Sequence, residues 1–251
     1  MELFGTAGIR GPTGDVVTPE LALAVGRAVG RDADVVVVGR DGRTTGDGLL
    51  AAVSAGVTSA GATAHSLGQV PTAALAYASR ERRGVMVTAS HNPPADNGLK
   101  CFVDGREYER EAEERVEARV AADEGPVDWA DWGTRRAVVG RADYREAVVD
   151  YAAGHGAAPT ELTVAVDCGN GVGSLATPQV LTELGASVQA LNANVDGHFP
   201  GRPSKPTPET VSDLRNFVAA GDADLGIAHD GDADRIVVVG PDGGVVHEDT
   251  V

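Results

Sequence analysis

Cysteine is almost absent from the 251-residue chain, which contains only Cys101 and Cys168. Two cysteines so far apart, with no metal-ligating neighbours, are typical of buried free thiols rather than of a disulfide framework. The six histidines form no i, i+4 pair and no cluster with zinc-ligand spacing. A zinc site is therefore not expected.

Long apolar segments are also lacking. No stretch approaches the ~18 residues that a membrane span needs. The first residues, Met1 to Gly11, contain no basic segment followed by an apolar core, so nothing marks a secretory signal. The sequence therefore predicts a soluble, cytoplasmic protein with no membrane partner.

Lysine is as rare as cysteine, since Lys100 and Lys205 are the only lysines among 21 basic residues. With 37 acidic residues the formal net charge is −16. Such a charge repels phosphate backbones and argues against nucleic acid as a partner. An acidic, lysine-poor composition favours a halophilic protein in a high-salt cytoplasm, where salt screens long-range repulsion. An ordinary acidic protein is the alternative.

Valine-rich apolar runs alternate with helical patterns along the chain, which is typical of strand-helix-strand units and predicts the α/β class. The predicted strands are residues 34–38, 62–66, 84–88, 99–103, 162–167, 186–191, 224–228 and 236–239. The predicted helices are 19–31, 47–60, 71–80, 107–122, 144–151, 177–184 and 209–220. The periodicity fails between residues 123 and 137, and the boundary between two domains is placed near residue 153.

The segment Thr88-Ala89-Ser90-His91-Asn92-Pro93-Pro94 directly follows a predicted valine strand. Open α/β sheets place reactive loops at the carboxyl ends of strands, so Ser90 is expected to be exposed and held by a stiff turn. Such a serine can accept and donate phosphate if positive neighbours or a metal assist it. For a serine seen alone, a plain turn or helix cap is the alternative. His91 is a candidate phosphate contact, although a structural histidine is the favoured interpretation.

Three carboxylates alternate in Asp230-Gly231-Asp232-Ala233-Asp234-Arg235, in a predicted turn between two strands. At ~4 to 5 Å and an effective dielectric of about 20, each close pair costs about 3 to 4 kcal/mol, which a divalent cation relieves. An EF-hand also begins Asp-x-Asp-x-Asp, but it requires glycine and glutamate where this chain has Arg235 and Pro241. The segment therefore predicts a site for a small, oxygen-seeking cation, with a solvated acidic turn as the alternative.

Three further segments combine glycine with possible phosphate contacts. The start, Phe4 to Gly11, places glycines around Arg10, which suits close approach of the backbone to a phosphate. Residues 39–44 follow a strand and offer Arg43 as a second guanidinium, although without context an ordinary βα loop is favoured. Residues 167–173 resemble a dinucleotide loop, but Ser174 stands where the third glycine is required, so a packing turn is expected.

Together these segments resemble the α-D-phosphohexomutase family, which includes phosphoglucosamine mutase, phosphomannomutase and phosphoglucomutase. The resemblance depends on the Phe-Gly-Thr-Ala-Gly-Ile-Arg-Gly start, the Thr-Ala-Ser-His-Asn-Pro loop with Asn97-Gly98-Leu99-Lys100 behind it, and the Asp-Gly-Asp-Ala-Asp-Arg loop. Residues 68–72 and 196–203 are similar as well, and the order and separations match over the whole chain. The implied architecture is two three-layer α/β/α domains with mixed, mainly parallel sheets, domain I at residues 1–153 and domain II at 154–251.

The resemblance also implies a reaction, the interconversion of hexose or hexosamine 1-phosphate and 6-phosphate through a bisphosphate intermediate. In it, Ser90 carries the phosphate, and Mg²⁺ is held by Asp230, Asp232, Asp234 and one oxygen on Ser90. Arg10, Lys100 and Arg235 match family positions near the reacting phosphate, with Lys100 a candidate for proton handling at the sugar hydroxyl. Arg43 and His91 are further candidate phosphate contacts. A glucose-1,6-bisphosphate-type activator is the expected second cofactor.

Family members have four domains, and the sequence contains neither the Gly-Glu-x-Ser-Gly loop of the third nor the phosphate-binding loop of the fourth. The chain ends at Glu248-Asp249-Thr250-Val251, close to where the second domain ends in the family, so a fragment or truncated product is expected. One alternative is a non-catalytic, metal-binding half that needs a separate carboxyl-terminal half. Another is a hydrolase that uses the same loops with water as acceptor. For the sugar, an amino-sugar or mannose substrate is expected.

Overall fold

The computed structural model describes residues 3–5 and 8–246. Thr6 and Ala7 of the glycine-containing start, and the final residues Glu248 to Val251, lie outside the described residues. The chain divides into two compact units, Met1–Ala89 with Ala95–Gly140 and Ser90–Pro94 with Arg141–Val251. The sequence-based boundary near residue 153 stays a prediction.

A seven-stranded sheet forms the centre of the first unit. Its strands are β1 (Ile9–Pro12), β2 (Val35–Arg40), β3 (Thr63–Gln69), β4 (Arg83–Val87), β5 (Asp96–Val103), β6 (Arg106–Glu107) and β7 (Arg135–Ala137). The strand order is β1-β5-β4-β2-β3-β7, and β6 pairs with β5. Strands β4, β2, β3 and β7 run parallel, whereas β5 is antiparallel to both β4 and β1.

Helices cover both faces of this sheet. They are α1 (Pro19–Gly30), α2 (Gly46–Ser59), α3 (Thr72–Ala78) and α4 (Arg110–Ala121). Helix α1 begins where the sequence predicts, because the Thr18 side chain accepts a hydrogen bond from the Leu21 N–H and proline occupies the first turn. Residues of α1, α2 and α4 share one apolar core with alternate residues of β2, β4 and β5. Leu75 of α3 lies on the opposite face, against Gly39 and Gly84.

The second unit contains a four-stranded sheet in the order β11-β10-β8-β9. Along the chain its elements are α5 (Arg141–Ala153), β8 (Thr163–Asp167), α6 (Thr177–Glu183), β9 (Ser187–Leu191), α7 (Ser212–Ala220), β10 (Leu225–His229) and β11 (Ile236–Val239). Strand β8 runs parallel to β9 and β10, and β11 is antiparallel to β10. Consequently β8 and β10 end side by side, with Asp167 directly before one connecting loop and Asp230 directly after the other strand.

Alternation along β8 divides its side chains between two cores. Ala165 packs with Leu214 and Val218 of α7, whereas Val164 and Val166 pack on the opposite face with Leu181 of α6. Each unit is therefore a three-layer α/β/α structure around a mixed sheet with parallel central strands, which confirms the predicted fold class. Both cysteines are free and buried, as predicted, and burial raises the pKa of each thiol to about 12.

Strands β1, β6 and β7 were not among the predicted elements, and Glu107, predicted as the first residue of a helix, belongs to β6. Strand β1 contains Gly11 and Pro12, which are rare in strands, and it exists because β5 pairs with it over the register Ile9 to Leu99. Strand β7 is exposed and polar, so it shows no apolar period. Within residues 3–5 and 8–246, no helix is both long and apolar enough to cross a membrane.

Candidate functional site

The loop that follows β4 holds Ser90 in a strained backbone conformation. Ser90 has φ +52, in the left-handed region that costs a residue with a Cβ roughly 1 to 2 kcal/mol. The residue is also completely buried, at 0 % exposure. The prediction of an exposed serine is therefore wrong, because residues 204 and 230–234 of the same unit lie directly against it.

The Ser90 side chain points into the acidic loop. Its Oγ lies 2.6 Å from Asp230 Oδ2, to which it donates a hydrogen bond, and 3.3 Å from Asp234 Oδ1. His91 Nδ1 lies 3.4 Å from the same Oγ. The structure thus brings together the two loops that the sequence singles out, although residue 90 and residue 230 are 140 positions apart.

The acidic loop connects β10 to β11 and turns its three carboxylates toward one point. One oxygen of each of Asp230, Asp232 and Asp234 lies within 4.8 Å of the others. Ala233 has φ +57, which produces the tight turn between the last two aspartates. The Arg235 N–H donates to Asp230 Oδ1 at 3.3 Å, so the backbone of the loop also orients the first carboxylate.

Three close carboxylates, two of them buried, are unfavourable while all are ionised. Burial, followed by the charges of Asp232 and Asp234, raises the pKa of Asp230 to about 8. The hydrogen bond from Ser90 opposes this shift without cancelling it. Carboxylate and hydroxyl oxygens are the ligands that Mg²⁺ and other hard divalent cations prefer, so the donor set fits such an ion.

Sequence reasoning did not identify Arg202 and His229 as supports of this loop. Arg202 is buried and donates to the Asp167 carboxylate at 2.5 Å and to the His229 carbonyl at 2.7 Å. His229 Nδ1 lies 3.1 Å from the Arg235 carbonyl, and burial lowers the pKa of its imidazole. Because a carbonyl only accepts, Nδ1 carries the proton, and the neutral ring fixes the far end of the acidic loop.

Ser204 also escaped sequence reasoning. Its hydroxyl accepts a hydrogen bond from the Gly231 N–H at 3.0 Å and donates one to the Ser90 carbonyl at 2.8 Å. The only signal in the sequence is its position directly after the family-like segment 196–203. Adjacency of that kind does not reveal a contact with residues 27 and 114 positions away.

The remaining predicted site residues divide between the two units. Arg235 belongs to the second unit and lies 3.9 Å from Asp234, with its side chain 49 % exposed. Arg10 and Lys100 belong to the first unit, where Arg10 pairs with Gly98 and therefore shares a sheet face with Lys100. Lys100 Nζ lies 3.7 Å from Glu107, and no described residue accepts a hydrogen bond from the buried Arg10 Nε.

Arg43 is completely buried in the first unit. Its Nε lies 3.1 Å from the Asp41 carboxylate, and its Nη1 donates to the Asp96 carbonyl at 2.8 Å. The Thr88 hydroxyl donates to the same Asp41 carboxylate at 2.8 Å. This pair therefore fixes Thr88 and Asp96, which precede and follow the serine loop, while phosphate binding by Arg43 stays a prediction.

Comparisons with known proteins show which family the chain resembles over both units. The family model for phosphoglucomutase/phosphomannomutase, alpha/beta/alpha domain I, matches residues 1–126, and the model for domain II matches residues 142–243. Over 256 residues the chain is 46% identical to a phosphopentomutase of Thermococcus kodakarensis, covering 100% of this chain and 56% of the relative. Over 250 residues it is 44% identical to a "probable phosphoglucosamine mutase" of Methanopyrus kandleri, covering 96% of this chain and 54% of the relative.

A solved structure gives the same picture. The crystal structure of a phosphoglucomutase/phosphomannomutase family protein from Burkholderia thailandensis matches with a TM-score of 0.89 at 30% identity. The match covers 99% of this chain and 56% of that chain. The present chain thus spans about half the length of the relatives it matches.

Proposed function

We propose, because this chain belongs to the phosphoglucomutase/phosphomannomutase family, that it supplies the phosphorylated serine and the Mg²⁺ site of a phosphohexomutase. In the proposed reaction Ser90 gives its phosphate to a hexose or hexosamine monophosphate, the bisphosphate turns around, and the other phosphate returns to Ser90. The observation that supports this is the 2.6 Å contact of the Ser90 hydroxyl with Asp230, inside a cluster of three aspartates.

Asp230, Asp232, Asp234 and Ser90 would hold the ion. When bound, Mg²⁺ supplies positive charge that offsets the carboxylates and the transferring phosphoryl group. A phosphate on Ser90 carries about −1.5 to −2 charge, so without a cation it would face three carboxylates at contact distance. The same repulsion favours a bound cation at this cluster over the alternative of a solvated acidic turn that holds no ion.

Phosphoryl transfer depends mainly on alignment and positive charge, and the proposed roles of the other residues follow from that. In each half-reaction the bond from phosphorus to one oxygen breaks, a bond to the other oxygen forms, and the accepting hydroxyl loses its proton. We assign that proton to Lys100 when the sugar accepts; in the return step the Ser90 hydroxyl gives up its proton and the sugar oxygen that leaves takes one up. Arg10, Arg235, Arg43 and His91 are the proposed phosphate contacts, of which Arg235 has the most exposed guanidinium next to the acidic loop.

The sugar is proposed from the relatives. One is named a "probable phosphoglucosamine mutase", and another, at 46% identity, is named a phosphopentomutase. A hexosamine or hexose phosphate remains our first proposal, and a pentose phosphate is the competing substrate class. Location in the cytoplasm and activity at high salt stay proposals from composition.

The direct test is phosphorylation of Ser90. We expect the purified chain, incubated with Mg²⁺ and glucose 1,6-bisphosphate, to gain one phosphate that peptide mapping places on Ser90. The S90A and D232N variants should gain none, whereas D222N, which removes an exposed aspartate before β10, at the opposite end of that strand from the acidic loop, should behave as the unmodified chain. A folded chain that stays unmodified at every Mg²⁺ concentration would refute the proposal.

A second candidate follows from chain length. The chain spans about half the length of its relatives. As an alternative, we propose that it is a metal-binding half that is inactive alone and catalyses turnover only with a separate carboxyl-terminal half. The remaining half of the Thermococcus kodakarensis relative, supplied as a separate polypeptide, tests this. Complex formation with hexosamine, hexose or pentose mutase activity supports it, whereas steady phosphate release without isomerisation would favour a hydrolase.

A further inference from the structure

Ser204 links the backbones of the serine loop and the acidic loop. Its hydroxyl has one hydrogen, which it donates to the Ser90 carbonyl at 2.8 Å. Its oxygen accepts a hydrogen bond from the Gly231 N–H at 3.0 Å, so its one hydrogen and one of its two lone pairs are used by backbone groups of the two loops. Ser204 is 4 % exposed, and water therefore has little access to replace either bond.

The space around this link is closed. A Cβ added to Gly231 would lie 2.8 Å from Ser204 Oγ and 2.9 Å from the Ser90 carbonyl oxygen, closer than real Cβ atoms approach. Only glycine therefore fits at position 231 without displacing one of the two serines. The contact with Ser204 thus explains why the residue between Asp230 and Asp232 is a glycine.

The link is anchored to the sheet rather than to a free loop. Arg202, two residues before Ser204, donates to the Asp167 carboxylate at the end of β8 and to the His229 carbonyl at the end of β10. Arg202 is itself buried, so these bonds are shielded from water. Through Arg202, the segment that carries Ser204 is therefore fixed to the ends of β8 and β10.

We propose that Ser204 is a positioning residue that sets the distance between the Ser90 hydroxyl and the three aspartates. It acts at two points, since it holds the carbonyl of Ser90 in the left-handed conformation of that residue, and it holds the amide between Asp230 and Asp232. The consequence for phosphate transfer rests on the proposed function, but the link itself does not. Metal-oxygen distances must hold within about 0.2 Å, so a loosened link weakens the site before it unfolds the chain.

The test compares S204A and S204C with a matched control. S204A removes both hydrogen bonds, and S204C removes most of their strength while nearly preserving the side-chain volume, so that the fold is kept. The control is S54A, because Ser54 is equally buried and donates to the Leu50 carbonyl inside α2, in the other unit. All variants are made in the complete 251-residue chain.

The first measurement is hydrogen exchange by mass spectrometry without metal. We expect S204A and S204C to speed exchange in peptides covering residues 90–94 and 230–235 together, at least tenfold at the Gly231 amide, and S54A to leave both unchanged. Variants with exchange in these two segments equal to that of S54A would overturn the proposal. This measurement needs neither Mg²⁺ nor phosphate, so it stands if the proposed function fails.

The second measurement is the Mg²⁺ concentration at the midpoint of thermal stabilisation, followed by the rate of Ser90 phosphorylation from glucose 1,6-bisphosphate. Groups that orient metal ligands typically change affinity 10- to 100-fold, so we expect the S204A midpoint to rise by about tenfold or more. An unmodified chain with no response to Mg²⁺ would refute the proposed function alone. A normal response that S204A shares would refute the positioning role alone.

Discussion

Replacing Asp230 with asparagine should stabilise the metal-free protein at neutral pH while abolishing its response to Mg²⁺. The pKa of Asp230 rises from 3.8 to about 8 in the folded chain, because the carboxyl is buried beside Asp232 and Asp234. Folding therefore requires a proton at this group wherever the unfolded chain has lost it. Asparagine is neutral at every pH and avoids that cost.

The sign and size follow from proton linkage. Below pH 3.8 the carboxyl is protonated in both states and costs nothing. As pH rises toward 8 the folded state binds more protons than the unfolded state, so stability falls. At about 1.36 kcal/mol per pH unit, the cost at pH 7 is roughly 4 kcal/mol. D230N recovers this cost less about 1 kcal/mol, because the asparagine carbonyl is a weaker acceptor for the Ser90 hydroxyl than the carboxylate.

Urea unfolding at pH 5, 6, 7 and 8 in EDTA, repeated with Mg²⁺, measures this. In EDTA we expect the unmodified chain to lose stability across this range, and D230N to lose less and to be about 2 to 3 kcal/mol more stable at pH 7. Mg²⁺ should reverse the order, because it displaces the proton and stabilises only the ionised carboxylate. The exposed-site variant D222N serves as control.

Two results would refute this reasoning. One is that, in EDTA, the free energy of unfolding changes between pH 5 and pH 8 by the same amount in the unmodified chain as in D230N. The other is a D230N variant that Mg²⁺ stabilises as much as the unmodified chain. Either result would mean that Asp230 is hydrated or compensated in the folded protein rather than buried among like charges.

Three further predictions follow from other parts of the structure. R43M should lower the free energy of unfolding by roughly 3 to 5 kcal/mol in urea, because Asp41 stays buried without its guanidinium, and R43M/D41N should recover part of the loss. H229F should cost roughly 1 to 3 kcal/mol and slow Ser90 phosphorylation, because the Arg235 carbonyl loses its donor. With a net charge of −16, Tm should rise as KCl increases to about 1 M and screens repulsion, and an unchanged Tm would argue against high-salt adaptation.

Elements with local signals were predictable from the sequence. Helix α1 begins at Pro19 because Thr18 caps it, and the valine runs of β2 and β4 are buried strands that need no information from distant residues. Strand β1 carries no such signal, since Gly11 and Pro12 disfavour a strand and only pairing with β5 creates it. Tertiary pairing here overrides local propensity.

The candidate site divides in the same way. Ser90 and the three aspartates were identifiable because their chemistry is visible in residue type and spacing. Ser204, Arg202 and His229 were not, because each acts through backbone groups that only the folded chain brings near. The burial of Ser90 was mispredicted for the same reason, since the residues that cover it lie more than a hundred positions away.

Charge determines the order in which the proposed site can be filled. In the proposed reaction a strongly anionic sugar bisphosphate would approach a chain of net charge −16 at a cluster of three aspartates. Arg235, 3.9 Å from Asp234, offsets only part of the negative charge of the cluster. In the proposed reaction we therefore expect a cation to occupy the cluster before a phosphate group approaches Ser90, so that phosphorylation depends on Mg²⁺ at the binding step as well as at transfer. A bisphosphate that bound equally well in EDTA and in Mg²⁺ would contradict this order.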